Sequence, residues 1–386
     1  MNILILNYEY PPLGGGAGIV TQHLAEEFIA KGHQVSVLTT WFSGEPEYHS
    51  YNNLTIIRLK AKRANTYQSN PFEMYDWMRK AKQYVKAHLH DFTFDICLAN
   101  FTLPGGAVAH YLKKKINLPY VILSHGHDIP WFSPSQMFFW HLLCFPIIKK
   151  IMQDADATVV LTEQLQQTAQ AFIGEKNKHK IQIIPNGLLA FSIKKGFDAR
   201  DKIIQAVFVG RLVEQKDPFA VIRACKILQQ QGIPIHLQLI GDGILKRDLE
   251  KYIAKHQLNQ IDVLGKISQS SVLEVFEKAH ILIAPSREEA MSLSILEAIS
   301  CGVYVFATNV SGTKDLILND MNGNFVEYGN AEDIAQKIST FYHQKFLKNY
   351  HYPEMMLQYI QQNYTWETSA NKYLTLFEAI VHTKPK

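Results

Sequence analysis

Ala284 to Thr308 reads APSREEAMSLSILEAISCGVYVFAT, and the order of its patterns decides the fold. Ile281 to Ala284 is a short apolar run closed by Pro285, the mark of a buried strand. Ser292 stands where a helix N-cap belongs, and Leu293, Leu296, Ile299 and Ser300 continue at helical spacing to Cys301-Gly302. Val303 to Ala307 is again apolar and rich in strand formers. The stretch predicts strand, loop, helix, strand. Its loop and helix carry two carboxylates, Glu289 and Glu297, with seven residues between them. In an open α/β sheet the loop after a strand's carboxyl end faces the ligand crevice. Two groups that only accept hydrogen bonds suit a ligand rich in hydroxyls, such as a sugar joined to a ribose.

The same alternation extends in both directions. Asn2 to Asn7 reads as a buried strand, Tyr8 to Gly18 (YEYPPLGGGAG) as a Pro/Gly loop, Ile19 to Ala30 as a helix and Gln34 to Thr40 as the next strand. Strand and helix patterns then alternate as far as Ile181–Pro185. Phe191 to Lys202 is polar and aperiodic and reads as a linker. Alternation restarts at Gln205–Val209, and helical patterns close the chain at Ala331–Tyr342, Pro353–Asn363 and Glu367–His382. We expect two α/β domains with mainly parallel sheets, residues 1–190 and 203–362, and a C-terminal helical segment, 363–386. A cleft between two such domains is a favoured ligand site.

A chain of 386 residues suits two cores, and 47% hydrophobic with 19% charged residues is ordinary for a globular protein. The net charge of +4 is too small to imply a nucleic-acid partner. Cys97, Cys144, Cys225 and Cys301 are scattered without a CxxC pair, which reads as free thiols in a reducing compartment. Met1 leads straight into the first strand with no secretory pattern, and no apolar run reaches ~18 residues. The expected location is the cytoplasm or the inner face of the membrane, with peripheral contact through the N-terminal domain as the alternative to a free protein. Trp77 to Lys86 is basic and amphipathic, and Trp131 to Lys150 is dense in aromatics, including Phe138, Phe139, Trp140 and Phe145. Such helices fit a membrane interface, although packing on a core is their commoner use.

Several strand ends carry candidate chemistry. The glycine loop at Gly14–Gly16 lies between a strand and a helix start, where backbone N–H groups and the helix dipole favour an anion. Its spacing is not GxGxxG and no acidic residue ends the second strand, which argues against a dinucleotide. Gly210 to Asp217 (GRLVEQKD) follows the first strand of the second domain. Arg211 and Lys216 there could hold a diphosphate and neutralise the charge that grows as it leaves. A loop salt-bridged to Glu214 or Asp217 is the plainer alternative. Two further strand ends finish in glycine, Leu239-Ile240-Gly241 and Val263-Leu264-Gly265. Such glycines let a ligand approach backbone, and Val263 and Leu264 could offer backbone groups to a nucleobase. Ser124-His125-Gly126-His127-Asp128 ends another strand, and His125 could bond a hydroxyl or phosphate. No metal site is expected. Asp154-Ala155-Asp156 has DxD spacing but reads as a helix–strand junction.

These motifs together resemble the family 4 retaining glycosyltransferases of the two-Rossmann, GT-B fold, over nearly the whole chain. YPPLGGGAG resembles their N-terminal glycine loop, GRLVEQKD their phosphate-binding segment, and REEAMSLSILEAISCGVYVFAT their E-x7-E signature. SGTKDLILNDMNGNFVEYGNAEDIA resembles the segment that follows it. The resemblance implies two Rossmann-like domains facing each other across a cleft, with the C-terminal helix packed back on the first. It implies that Gly15 and Gly16 lie against the donor's phosphate or sugar and that Arg211 and Lys216 grip the diphosphate. It places Glu289 on the donor sugar, Glu297 on the ribose, His125 near the transferred sugar and the backbone of Ala290, Met291, Ser292 and Leu293 near sugar or phosphate. Leu188-Leu189 after Gly187, Tyr304 after Cys301-Gly302-Val303 and Asn309 depart from the family pattern. The expected activity is metal-independent, retaining transfer from a UDP- or GDP-linked sugar to a hydroxyl of a glycan, glycolipid or lipid-linked acceptor, with no cofactor. An epimerase or phosphorylase on the same architecture, or a non-catalytic nucleotide-sugar binder, are the alternatives.

Overall fold

The computed structural model describes residues 1–66, 69–132, 134–188 and 202–383, without the side chains of 134–138. All of the expected linker except Lys202 lies outside the described residues. Residues 1–187 and 366–386 form one compact unit and residues 188–365 a second.

The first unit opens with β1 (Asn2–Leu6), α1 (Gly16–Ala30), β2 (Gln34–Thr40), β3 (Tyr48–Tyr51) and β4 (Leu54–Leu59). It continues with α2 (Pro71–Ala87), β5 (Ile96–Asn100), α3 (Ala107–Ile116), β6 (Tyr120–Leu123) and α4 (Pro134–Asp154). β7 (Ala157–Val160), α5 (Glu163–Ile173) and β8 (Ile181–Ile183) complete its sheet. The strand order is β3-β4-β2-β1-β5-β6-β7-β8. Only β3 runs antiparallel to its neighbour among these pairs. β1 is apolar on both faces because helices cover both, and Ile3 pairs with Val35 on one side and Ile96 on the other.

In the second unit β9 (Ile204–Val209), α6 (Pro218–Gln230), β10 (Ile235–Ile240), α7 (Lys246–Lys255) and β11 (Ile261–Gly265) come first. α8 (Gln269–Lys278), β12 (Ile281–Ala284), α9 (Leu293–Ser300), β13 (Tyr304–Thr308), α10 (Ser311–Lys314) and β14 (Gly323–Val326) follow. α11 (Ala331–Gln344) and α12 (Glu354–Asn363) end the unit, and α13 (Trp366–His382) returns to the first. The strand order β11-β10-β9-β12-β13-β14 is that of a Rossmann fold, with the order reversing between β9 and β12. Phe208, Leu237, Ile283 and Phe306 from the sheet and Ile222, Leu228 and Ile338 from the helices are buried in its core.

Three features depart from the sequence patterns. α1 begins at Gly16 and not at Ile19, so the last loop glycine already belongs to the helix. β3 is exposed along its whole length, which leaves no apolar alternation to read. β14, GNFV, lacks a strand-like pattern and exists because it pairs with β13. α13 packs on α1 through Phe28, whose ring lies 5.7 Å from Phe377 and 6.3 Å from Tyr373. Ser369 Oγ donates to the Pro185 carbonyl at 2.7 Å and secures the start of that helix.

Candidate functional site

In the second unit the strand order reverses between β9 and β12, so the loops after these two strands flank the topological switch point. The loop after β9 is anchored by the fully buried Leu212, whose N–H donates to Asp242 O at 2.9 Å. Asp217 ends the loop at φ 47° and caps α6, its Oδ1 accepting from Ala220 N at 3.1 Å. Between these points the loop presents Arg211 and Lys216. The Lys216 side chain lies along Gly210, where an added Cβ would sit 3.7 Å from Lys216 Cδ. Its ammonium is ion-paired with Glu289 Oε2 from the loop after β12.

Gln215 ties the two loops together. It accepts from Arg211 Nη2 at 3.2 Å, donates to Glu288 O at 3.0 Å, and its own carbonyl accepts from Arg287 N at 2.8 Å. No sequence pattern singles out this buried glutamine. Its bonds to Glu288 and Arg287 span more than seventy residues of chain. The loop after β12 is held from its other side by Gly312, whose N–H donates to Glu289 O at 2.8 Å. A Cβ on Gly312 would come within 2.7 Å of Ala290 C, so glycine is required there. Ser292 is the N-cap residue of α9, as expected, yet its side chain makes no capping bond. Its hydroxyl lies instead 3.0 Å from Ser294 Oγ. The first turn of α9 is left without a side-chain cap beside Ala290 to Leu293, a suitable place for an anion or hydroxyl. Glu297, on α9, accepts from Gln269 Nε2 of α8 at 3.1 Å.

Gly241 has φ +139°, and a Cβ there would lie 1.8 Å from Gly210 O. Its lack of a side chain is demanded by the adjoining loop, and its N–H is spent on Gly265 O at 2.8 Å. Val263 and Leu264 lie on β11, an edge strand, with Leu264 exposed.

The first unit gathers a different set at the ends of β1, β5 and β6. Asn7 Nδ2 donates to Thr21 Oγ1 at 2.8 Å, and Thr21 Oγ1 lies 3.2 Å from Asn100 Oδ1. The same Asn100 oxygen is 2.9 Å from His125 Nε2. Asp128 fixes the His125 loop. It accepts from Ser124 Oγ at 2.7 Å, His125 N at 3.2 Å and Thr102 N at 2.8 Å. Burial drives the His125 pKa down to about 4, against the opposing pull of Asp128, so the ring is neutral at pH 7. Phe101, at φ 63°, places its ring 4.7 Å from the His125 ring. Gly15 precedes α1 with open space where a side chain would be, and Gly16 is the first residue of that helix. Gly14 does have a structural reason to be glycine: at φ +90°, a Cβ would strike Glu9.

Asp154 and Asp156 are committed to structure. Asp154 pairs with Lys150 at 3.0 Å and His110 at 2.9 Å, and Asp156 with Lys113 at 2.8 Å. Two family models match in tandem, Glycosyltransferase Family 4 over residues 14–188 and Glycosyl transferases group 1 over residues 191–365. The chain belongs to the family 4 glycosyltransferases.

Similar proteins agree with this membership. An uncharacterized glycosyltransferase of Methanocaldococcus jannaschii is 25% identical over 343 residues, covering 88% of this chain and 87% of that protein. Sucrose-phosphate synthase from Thermosynechococcus elongatus shares the fold over 100% of both chains, with a TM-score of 0.84 and 20% identity. Anabaena HepE in complex with UDP and glucose covers 98% of this chain and 100% of its own, with a TM-score of 0.73 and 16% identity. In this glycosyltransferase the residues singled out from sequence thus fall into two groups. Arg211, Lys216, Glu289, Glu297 and the segment Ala290–Leu293 belong to the second unit, and Gly15, Gly16 and His125 to the first.

Proposed function

We propose that this glycosyltransferase is a retaining enzyme that uses a nucleotide-diphosphate sugar and transfers the sugar to a hydroxyl of a glycan, glycolipid or lipid-linked acceptor. The observation that carries the reading is the convergence of Lys216, Arg211 and Glu289 on the switch point beside the uncapped first turn of α9. Two cations and a helix N-terminus suit a diphosphate, and a carboxylate beside them suits sugar hydroxyls. Anabaena HepE, of the same fold, is known in complex with UDP and glucose, which makes UDP the first base to test.

In the proposed reaction the acceptor hydroxyl oxygen bonds to the anomeric carbon on the face from which the diphosphate departs. The carbon–oxygen bond to the β-phosphate breaks, and the hydroxyl proton passes to the departing phosphate oxygen. Arg211 and Lys216 stabilise the charge growing on that phosphate. Glu289 accepts from the donor sugar and orients Lys216, Glu297 accepts from the ribose, and the backbone at Ala290–Leu293 donates to sugar or phosphate. Val263 and Leu264 border the base, with Gly241 shaping the adjoining loop. His125, Gly15 and Gly16 serve the sugar and acceptor side. The cationic pair occupies the role a divalent metal would play, so no metal or cofactor is required, and the reaction takes place in the cytoplasm.

Thermal unfolding with a panel of nucleoside diphosphates tests the donor class. A true ligand at a hundred times its Kd stabilises by ~2.7 kcal/mol. Incubation of the preferred nucleotide sugar with candidate acceptors, read by NMR, tests the chemistry. The same anomeric configuration in donor and product supports retention, and inversion overturns it. An epimer or a free sugar phosphate formed without acceptor would point to an epimerase or phosphorylase instead. Full activity in chelator is expected.

A further inference from the structure

Away from the residues gathered at the ends of β1, β5 and β6, the first unit exposes two helical stripes that its core does not use. On α2 the stripe is Phe72, Tyr75, Arg79, Lys82 and Lys86. On α4 it is Phe139, Leu142, Leu143, Ile147 and Lys150. Recurrence at three and four residues puts each set on one helix face. The apolar members are strongly exposed: Phe72 at 73%, Phe139 at 68%, Leu143 at 63% and Ile147 at 55%. A core-packing role, the plainer reading of these helices, does not account for side chains that stand in solvent.

The stripes lie side by side and run the same way. The Phe72 and Trp140 rings meet edge to face at 5.9 Å near the two helix starts. Ten residues further along α2, Lys82 lines a groove of about 370 Å³ with His110 of α3 and Pro146, Ile147 and Lys150 of α4. Each stripe is thus apolar toward its N-terminal end and cationic toward its C-terminal end. The charge is one-sided as well. The two helices hold six basic residues, Arg79, Lys80, Lys82, Lys86, Lys149 and Lys150, against Glu73, Asp76 and Asp154. Glu73 is used in the α2 capping box, Asp76 is shared by Arg79 and Lys80, and Asp154 pairs with Lys150 and His110. Lys82, Lys86 and Lys149 have no carboxylate within ion-pair distance among the described residues. Burial lowers the Lys82 pKa, an unfavourable setting for a cation that an anionic partner would relieve. Among the described residues no helix is long and apolar enough to cross a membrane.

We propose that the α2–α4 face is a docking surface for an anionic lipid bilayer, with Lys82 and Lys150 holding a lipid phosphate in the groove over α3. Apolar side chains that enter the acyl boundary, next to cations at phosphate depth, are what such a surface requires. A neutral apolar partner would leave the three unpaired lysines unanswered, and a soluble acidic one would leave Phe139 and Leu143 exposed. The inference depends on this surface alone, and its test is read without donor or acceptor.

The full chain is floated with vesicles of phosphatidylcholine alone and of equal parts phosphatidylcholine and phosphatidylglycerol. Binding to the anionic vesicles only is expected. Lys82→Glu with Lys86→Glu should weaken it by more than tenfold at low salt, since each basic residue near an anionic leaflet contributes roughly fivefold. The difference between wild type and this variant should shrink in high salt. Phe139→Ser with Leu143→Ser should also weaken binding, at any salt concentration. Lys86, Phe139 and Leu143 are exposed and Lys82 is half-buried, and an unchanged melting temperature certifies each variant. Wild-type protein that stays unbound with anionic vesicles overturns the proposal, as does binding indifferent to the lysine substitutions. A dimer that Leu143→Ser converts to monomer also overturns it, because a second copy would then be the occupant.

Discussion

In the second unit the loops at the switch point meet through charge, with Lys216 paired to Glu289 and Arg211 tied in through Gln215. In the first unit the loops after β1, β5 and β6 meet largely through neutral groups: Asn7, Thr21, Asn100 and an uncharged His125. The Asp128 carboxylate there is spent on backbone and hydroxyl donors, and Glu9, in the loop after β1, is ion-paired with Arg63 at 3.4 Å. Two sheets of related topology therefore present opposite chemistry at equivalent places. The charged set suits a ligand portion whose charge changes during reaction, and the neutral set suits hydroxyls that must be positioned without attracting ions.

The glycines offer the sharpest way to break this comparison. Gly241→Ala forces a Cβ to within 1.8 Å of Gly210 O, at a φ that alanine avoids. We expect a loss of about 3 kcal/mol or more in urea unfolding, since backbone strain and overpacking combine. Gly15→Ala meets nothing within 4 Å and should change stability by less than about 1 kcal/mol. Any loss of activity in that variant would then report ligand approach at Gly15 and not misfolding.

Lys216→Ala should lower turnover by about one to two orders of magnitude, from the loss of one charged contact worth ~1.5–3 kcal/mol. Unchanged turnover would remove Lys216 from the phosphate. The neutral set makes a prediction about pH. Burial holds the folded His125 pKa at about 4, below the ordinary 6.5 of an exposed histidine, so below pH 6.5 the unfolded chain takes up the proton first. Stability held above that pH is lost as pH falls toward 4. His125→Gln should flatten that part of the curve in denaturant titrations from neutral to acid pH. If the slope is unchanged, His125 is not the buried neutral group described above. The smallest effect is expected at Glu297→Gln, roughly fivefold in donor KM with kcat retained. A fall in kcat alone would move Glu297 from the ribose to the reacting sugar.

Much of the fold was legible because strand and helix periodicity is local. The apolar run of β1 and the strand–loop–helix–strand of β12, α9 and β13 follow from neighbours a few residues away. β3 escaped because a strand exposed on both faces leaves no pattern, and β14 because only its pairing with β13 makes it a strand. Within the site, Glu289, Arg211 and Lys216 stood out as charges beside strand ends. Gln215 and Asn100 did not, since a neutral, fully engaged polar residue looks in sequence like any loop or core position. The two exposed helical stripes had the composition of core helices, and only their solvent exposure separates the two readings.

The sequence by itself determined the α/β alternation, the change from one sheet to the next and the residue types at the strand ends. Tertiary structure alone decided which of them meet. Lys216 reaches Glu289 across 73 residues because β9 and β12 are neighbours in the sheet. Gly241 must be glycine because another loop passes over it, and α13 closes on α1 from the far end of the chain. Periodicity is set by the geometry of a single element, whereas these contacts depend on strand order and close packing, which no local pattern encodes.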